Sequence, residues 1–422
     1  MGVTSTTAGT MAADASLRAI RWLTYLMFFM FAMTTDSVGL IIPQVIAEFH
    51  LDMTTAGLLQ YGSMAGIAAA GIGLGFLADR IGRKPTILIG LALFAATAFV
   101  FPAAGSFAAI VALIVVAGAA IGIFKTGALA LVGDISTSSV QLTSTMNLVE
   151  GFFGVGAIIG PFIVTELVAR GVSWRWLYVV AGSLCVVLFA IALRARYPGH
   201  ARTPVAPGAG SAPGGERNLV STLRLVSNPF ALGFSLAAFG YVVVECAIYV
   251  WMPTLLAMLR GPGVELVGYA LPAFFVMRAL GRFVGAWLLR YFDWSAALAL
   301  SALAIFACFA GSAWGGIGVA LYLLPLAGLF MSIMYPTINS KGIGCFPTSE
   351  HGAIAGIILF FTCAGAFLGP LTMARVSDSL GGAAYGFRFA TGVAALLAVG
   401  CIGNWLVKPA HPQLGRFAQQ AP

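Results

Sequence analysis

Six ionisable side chains stand inside long apolar runs of this sequence: Asp36, Lys125, Glu150, Glu245, Arg278 and Arg282. In hydrocarbon each costs at least about 2.5–3.5 kcal/mol on insertion scales, so each marks a partner or a function. At a helical rise of about 1.5 Å per residue, Lys125 lies about 12 Å from one end of its apolar run. Glu150 lies about 14 Å into the next run, counted from the same side. That match predicts a Lys125–Glu150 ion pair. Glu245 and Arg278 each fall about 20 Å from the outer ends of two consecutive runs, which predicts a second pair. Arg282 follows one turn beyond Arg278 on the same face. The depth count matches Asp36 to none of these cations. It sits in F-A-M-T-T-D-S-V-G, Phe31 to Gly39, about 22 Å along its run.

A carboxylate in a low-dielectric cavity is able to take and release a proton near neutral pH. Asp36 is therefore the first candidate proton carrier and Glu150 the second. Protonating Glu150 would break its pair and free Lys125 to bind substrate or close a gate. The blander readings are a static Lys125–Glu150 pair, and an Asp36 solvated by Thr34, Thr35 and Ser37. Gln60, Asn147, Tyr241, Trp251 and Asn339 are able to hydrogen-bond hydroxyls from within the spans, and Trp251 alternatively serves as an interfacial anchor. With Lys125, Glu245 and Arg278 they make up the candidate substrate-binding set. Arg278, Arg282 and Lys125 also suit an anionic substrate.

Helices must position these groups. The chain has 422 residues, 60% of them hydrophobic and only 9% charged, with a mean hydropathy of +0.98. That composition excludes a soluble globular protein. A helix crossing about 30 Å of hydrocarbon needs roughly 20 apolar residues. Twelve spans are predicted: 20–46, 54–78, 85–104, 107–132, 142–168, 176–196, 228–258, 266–289, 295–313, 317–340, 352–375 and 387–407. Residues 1–19 read as a disordered tail, 20–196 and 228–407 as six-helix bundles, 197–227 as a Pro- and Gly-rich linker and 408–422 as a second tail. With the N-terminus inside, 14 of the 22 Lys and Arg fall on the cytoplasmic side, 5 on the other and 3 within spans. The positive-inside rule thus explains the net charge of +8 without a nucleic-acid partner, and places both termini in the cytoplasm.

The densest charge lies between the second and third spans, in G-F-L-A-D-R-I-G-R-K from Gly75 to Lys84. It must be a tight turn outside the hydrocarbon, with Gly82 reversing the chain. A Gly75-x3-Asp79-Arg80 pattern recurs 210 residues on as Gly285-x3-Leu289-Arg290, without its acid. G-A-I-I-G-P at Gly156–Pro161 recurs 209 residues on as G-A-F-L-G-P at Gly365–Pro370. The two halves therefore read as a duplicated unit, and such repeats place a substrate site near the midplane between them. The six cysteines form no C-x-x-C or Cys/His cluster, so neither a disulfide framework nor a metal site is expected. No phosphate-binding loop is present and no Ser/His constellation suggests an enzyme. A proton gradient, with no cofactor, is the expected energy source.

Over residues 20–407 the chain resembles the major facilitator superfamily of transporters, whose signature loop matches Gly75, Asp79, Arg80, Gly82, Arg83 and Lys84. The resemblance implies an all-α membrane protein of twelve transmembrane helices in two pseudo-symmetric six-helix bundles. It also implies a cytoplasmic gate in which Asp79, Arg80 and Arg83 latch the halves. Within the superfamily the chain is most similar to the fucose/galactose/glucose–proton symporters. This rests on Met146-Asn147-Leu148 through Gly160-Pro161, Gly281-Arg282-Phe283-Val284-Gly285, and Tyr335-Pro336-Thr337 through Lys341-Gly342. Asp36 agrees with their acidic position on helix 1; where they carry a Glu on helix 4, Gly122–Gly127 carries Lys125. The expectation is proton-coupled symport of a neutral hexose-class sugar by a monomer in the bacterial inner membrane. Proton-driven export of drugs or metabolites, and transport of an organic anion, are the alternatives.

Overall fold

The computed structural model describes residues 3–74, 77–136, 139–195, 197, 225–347 and 350–418. The linker expected over 197–227 lies, apart from Tyr197 and 225–227, outside them. Two compact units are present: Met1–Phe49 with Leu58–Ser211, and His50–Gly57 with Ala212–Pro422.

The chain up to the linker forms α1 (Val3–Thr35), α2 (Val38–Phe49), α3 (Met53–Ala56), α4 (Leu58–Gly73), α5 (Leu77–Arg80), α6 (Arg83–Val100), α7 (Phe107–Asp134), α8 (Ser139–Ala169) and α9 (Trp176–Arg194). Beyond it come α10 (Pro229–Cys246), α11 (Met252–Leu256), α12 (Ala270–Tyr291), α13 (Trp294–Gly315), α14 (Ile317–Met331), α15 (Met334–Gly344), α16 (His351–Leu380), α17 (Ala383–Val407) and α18 (Ala410–Ala418). Among the described residues eleven stretches are long and apolar enough to cross a membrane. The span expected over 54–78 is represented by α3 and the 16 residues of α4; Gly75 and Phe76 lie outside the described residues. The tail expected to be disordered over 1–19 is instead helical from Val3, as helix formers such as Ala12, Ala13, Ala15 and Leu17 extend the first span outward.

Among the described residues the first, seventh and tenth expected spans are interrupted part-way. The first changes over at Asp36–Ser37, between α1 and α2. The seventh passes through a π-helical turn, Ala247–Trp251, before α11. The tenth breaks at residues 332–333, between α14 and α15. A proline follows each interruption: Pro43, Pro253 and Pro336. Proline lacks the N–H for the carbonyl four residues back and its ring clashes with it. For Pro253 and Pro336 those carbonyls belong to Tyr249, inside the π turn, and Ser332, at the break. Irregular helix at membrane depth is tolerated only where protein or a water-lined cavity satisfies the backbone.

Small residues let the helices touch. In the first unit a Cβ added at Gly156 or Gly160 would sit 2.1 Å from the carbonyl oxygen of Phe29 or Met33, so α8 rests backbone to backbone on α1. In the second, Gly365 and Gly369 approach Phe239 and Val243 of α10, with Cβ positions 2.8 Å from the Phe239 oxygen and 3.0 Å from the Val243 Cα. Phe239 and Val243 each lie 210 residues after Phe29 and Met33, so the duplicated motif makes one contact twice. The short helix α3 is held within the second unit: Asp378 accepts from the Met53 and Thr54 backbone N–H groups at 3.0 and 2.8 Å. Gly160→Val should destabilise the fold by about 3 kcal/mol through overpacking. Gly154→Ala, where a Cβ meets open space, should be neutral. Monodisperse yield and thermal midpoint of the purified variants would measure both.

Candidate functional site

In the first unit the site is built around the α1–α2 interruption. The backbone N–H of Asp36 still donates to the Ala32 carbonyl, at 3.1 Å. Of the three neighbouring hydroxyls only Thr35 turns to the carboxylate, donating from Oγ1 to Oδ2 at 2.9 Å. Thr34 and Ser37 donate to the Phe31 and Met33 carbonyls, so the polar cluster mainly closes backbone. The helix interruption thus exposes peptide groups that hydroxyls satisfy, while Asp36 stays half-buried.

Lys125, on α7, is half-buried. Its ammonium is 5.2 Å from the centroid of the Phe153 ring, a cation–π arrangement. Among the described residues no contact within 4.0 Å joins Lys125 to Glu150, so the expected direct pair is absent. The depth count put both at the right level but carried no information on helix rotation. Glu150 and Asn147 lie three residues apart on an exposed face of α8. A Cβ at Gly151 or Gly154 beside them would meet open space. Gln60 on α4 is 1% exposed, and its side-chain Nε2 has no hydrogen-bond partner among the described residues.

The second unit contains the other expected pair. Arg278 Nη2 of α12 stands 2.6 Å from Glu245 Oε1 of α10. The Tyr241 hydroxyl, one turn before Glu245, lies 2.8 Å from the same oxygen and 3.2 Å from the Met331 carbonyl. Trp251 is fully buried, and its indole N–H donates to the Pro370 carbonyl of α16 at 3.1 Å. It is therefore a packing tie between two helices, neither an interfacial anchor nor an open platform. Asn339 on α15 is half-buried, with Oδ1 enclosed and without a partner among the described residues. Arg282 is exposed.

At the turn between α4 and α6, Gly82 has φ +99°, a conformation that glycine adopts without strain. Arg83 Nε is 2.9 Å from Asp134 Oδ2 at the end of α7. Lys84 Nζ donates to the Leu193 and Ala195 carbonyls at 2.7 and 2.8 Å, capping the C-terminus of α9 where its dipole attracts a cation. It also lies 5.4 Å from the ring centroid of Tyr197, whose phenol burial pushes up to about 12. These contacts fasten the turn within the first unit. The backbone of Asp79 and Arg80 lies in α5; the Asp79 side chain is outside the described residues, and Arg80 is exposed.

The family model described as Major Facilitator Superfamily matches residues 24–370. The chain belongs to the Major Facilitator Superfamily. Its relatives are transporters. The L-fucose-proton symporter of Escherichia coli (strain K12) is 26% identical over 393 residues, covering 84% of this chain and 86% of that protein. The crystal structure of the E. coli fucose:proton symporter superposes with a TM-score of 0.59 at 22% identity, covering 90% and 97% of the two chains. That of the nucleoside transporter NupG superposes with a TM-score of 0.71 at 16% identity, covering 92% and 99%. These likenesses establish the facilitator fold, twelve helices in a multi-pass membrane protein.

Asp134 was missed from the sequence. Its signal was an acid at the end of an apolar run, on the side where the basic turn falls. In this facilitator the Arg83–Asp134 pair is partly exposed, at 15% and 48% for the two side chains, so its contribution is about 1 kcal/mol or less. Arg83→Ala and Asp134→Ala should lower the thermal midpoint by similar small amounts, and the double variant no further.

Proposed function

We propose that this facilitator is a proton-coupled symporter of a neutral, hexose-class sugar. The observation that carries the reading is the placement of Asp36 at the interruption of the first span, where Thr35 holds its carboxylate at 2.9 Å. With Asp36 ionised, the lysine's charge is held toward it. Protonation of Asp36 removes that attraction and leaves Lys125 to Glu150 and the Phe153 ring. One proton thereby shifts a cation between helices α1 and α8, which changes what the cavity offers a substrate. Glu150, on the open face of α8, is the second proton-coupling group.

Gln60, Asn147 and Asn339 supply the contacts to sugar hydroxyls. The enclosed Gln60 Nε2 and Asn339 Oδ1 favour this, since buried polar atoms are ordinarily hydrogen-bonded and a polar ligand would complete them. Lys125 adds a donor; Tyr241, Glu245, Trp251 and Arg278 shape and brace the wall of the second unit. The two halves alternate access across the bacterial inner membrane, with both termini cytoplasmic and the turn from Gly75 to Lys84 as the cytoplasmic gate. The protein works as a monomer without a cofactor, and the likeness to an L-fucose-proton symporter supports the substrate class.

Proteoliposomes with an imposed inward proton gradient should accumulate radiolabelled L-fucose or a related hexose, and a protonophore should abolish it. Asp36→Asn should lose accumulation down to the de-energised level while keeping counterflow exchange. Loss of both would make Asp36 a substrate ligand. Uptake of organic carboxylates with no uptake of any hexose would replace the sugar reading by the anion one.

A further inference from the structure

A cavity of about 360 Å³ lies wholly within the second unit, between the start of α10 and the end of α17. Leu298 of α13 and Ile338 of α15, both buried, form its floor. Gly233 and Gly400 stand in its walls, and a Cβ built on either would meet open space. Leu236 and Leu396, also in the walls, are exposed, so the cavity opens sideways out of the bundle. Both belong to stretches apolar enough to cross a membrane, so that opening faces hydrocarbon. From Leu396 to Val407, the last residue of α17, the helical rise gives about 16 Å. Half of a hydrocarbon core is about 15 Å. The cavity thus reaches from one membrane surface to the midplane, the depth of one acyl chain.

Its lining is apolar apart from the Cys401 thiol and the Asn404 amide. Asn404 is half-buried near the mouth, and its carbonyl accepts from the Lys408 N–H at 2.9 Å. Charge gathers at the same end. Phe234 of the wall lies 6.3 Å, ring to ring, from Trp294 at the start of α13. The His411 imidazole stacks on Trp294 with centroids 5.4 Å apart and planes at 19°. The Lys341 ammonium is 5.9 Å from the centroid of that indole. His411 Nε2 stands 3.2 Å and Lys408 Nζ 4.0 Å from Asp293 Oδ2. Two lysines and a histidine therefore gather against one carboxylate. Pro409 and the buried Ala410 close this end of the cavity, and α18 continues onto α15, where a Cβ at Gly344 would come 3.0 Å from Leu414.

We propose that the cavity holds one acyl chain of a bilayer phospholipid whose anionic headgroup lies against Lys408 and Lys341. An enclosed water needs about two to four polar partners, and a sugar more, whereas these walls offer one amide. A hydrocarbon chain is matched by the apolar depth and reaches it directly from the membrane. The Asn404 amide stands where the chain's ester carbonyl would fall, and basic pockets at helix ends attract anionic headgroups. The bound chain fills the gap between α10 and α17 that the two glycines leave. This lipid site is independent of which solute is carried.

Native mass spectrometry of the purified full chain, titrated in detergent with dioleoyl phosphatidylglycerol or the matching phosphatidylcholine, tests the site. The parent should retain one phosphatidylglycerol at least about fivefold more tightly than phosphatidylcholine, as expected for one unbalanced lysine. Lys341→Gln with Lys408→Gln should erase that preference and leave phosphatidylcholine retention unchanged. Gly233→Leu and Gly400→Leu, whose side chains would occupy the cavity, should lose the tight site for both lipids. Their thermal midpoints in lipid-free detergent should not fall below the parent's. Gly392→Leu, also in open space on α17 but outside the cavity, should change neither lipid. Tight retention unchanged in both cavity variants, or a parent that holds the two lipids equally or holds neither, would overturn the proposal. The unaltered chain supplies a second test that needs no variant to fold. In proteoliposomes, phosphatidylglycerol with a diazirine on its acyl chain should attach preferentially to peptides around Gly233 and Gly400, and excess phosphatidylglycerol should suppress this more than phosphatidylcholine does. Attachment spread evenly over the spans would contradict the site.

Discussion

Everything in this molecule follows from the cost of putting a charge or a bare peptide group into hydrocarbon. A chain with 9% charged residues sends nearly all of them to turns and ends, and the few that remain inside must be met by another helix. Asp36 and Lys125 answer that demand in the first unit, Glu245 and Arg278 in the second. The demand on the backbone is met in the same places. Hydroxyls of Thr34 and Ser37 close carbonyls beside the first interruption, and the Tyr241 phenol reaches the carbonyl that ends α14.

The duplication gives these solutions a common frame. Glycine pairs press α8 on α1 and α16 on α10 through corresponding residues, so the first and seventh spans are held alike. On that shared frame the two acids differ by one position. In the first unit the carboxylate lies at the helix interruption, and Lys125 sits over the Phe153 ring at 5.2 Å. In the second the carboxylate is in direct contact with an arginine, and the pair fixes a network.

Much of this was legible in the sequence, for reasons that differ by residue. Hydropathy marked the spans because hydrocarbon thickness dictates their length. The Glu245–Arg278 pair followed from depth alone, since the two helices are neighbours and the side chains long. Depth alone misjudged the Lys125–Glu150 pair, because helix rotation leaves no trace in a run that is apolar on every side. The interruptions at Asp36, Ala247 and Ser332 were hidden in continuous hydrophobic stretches, though Pro43, Pro253 and Pro336 stood after them. Trp251 reads in the sequence as a hydroxyl donor or an interfacial anchor and is a buried tie to Pro370, a contact 119 residues away that no local pattern announces. Substrate identity rests on a few amide groups, and those are common to many polar ligands.

We propose that sugar and proton cross together through the Asp36 site. The pH of the medium around lightly buffered, de-energised proteoliposomes, followed as L-fucose is added, tests this coupling. Alkalinisation is expected as protons enter with the sugar, and none in Asp36→Asn. Sugar entry with no change in pH, or acidification of the medium, would contradict it.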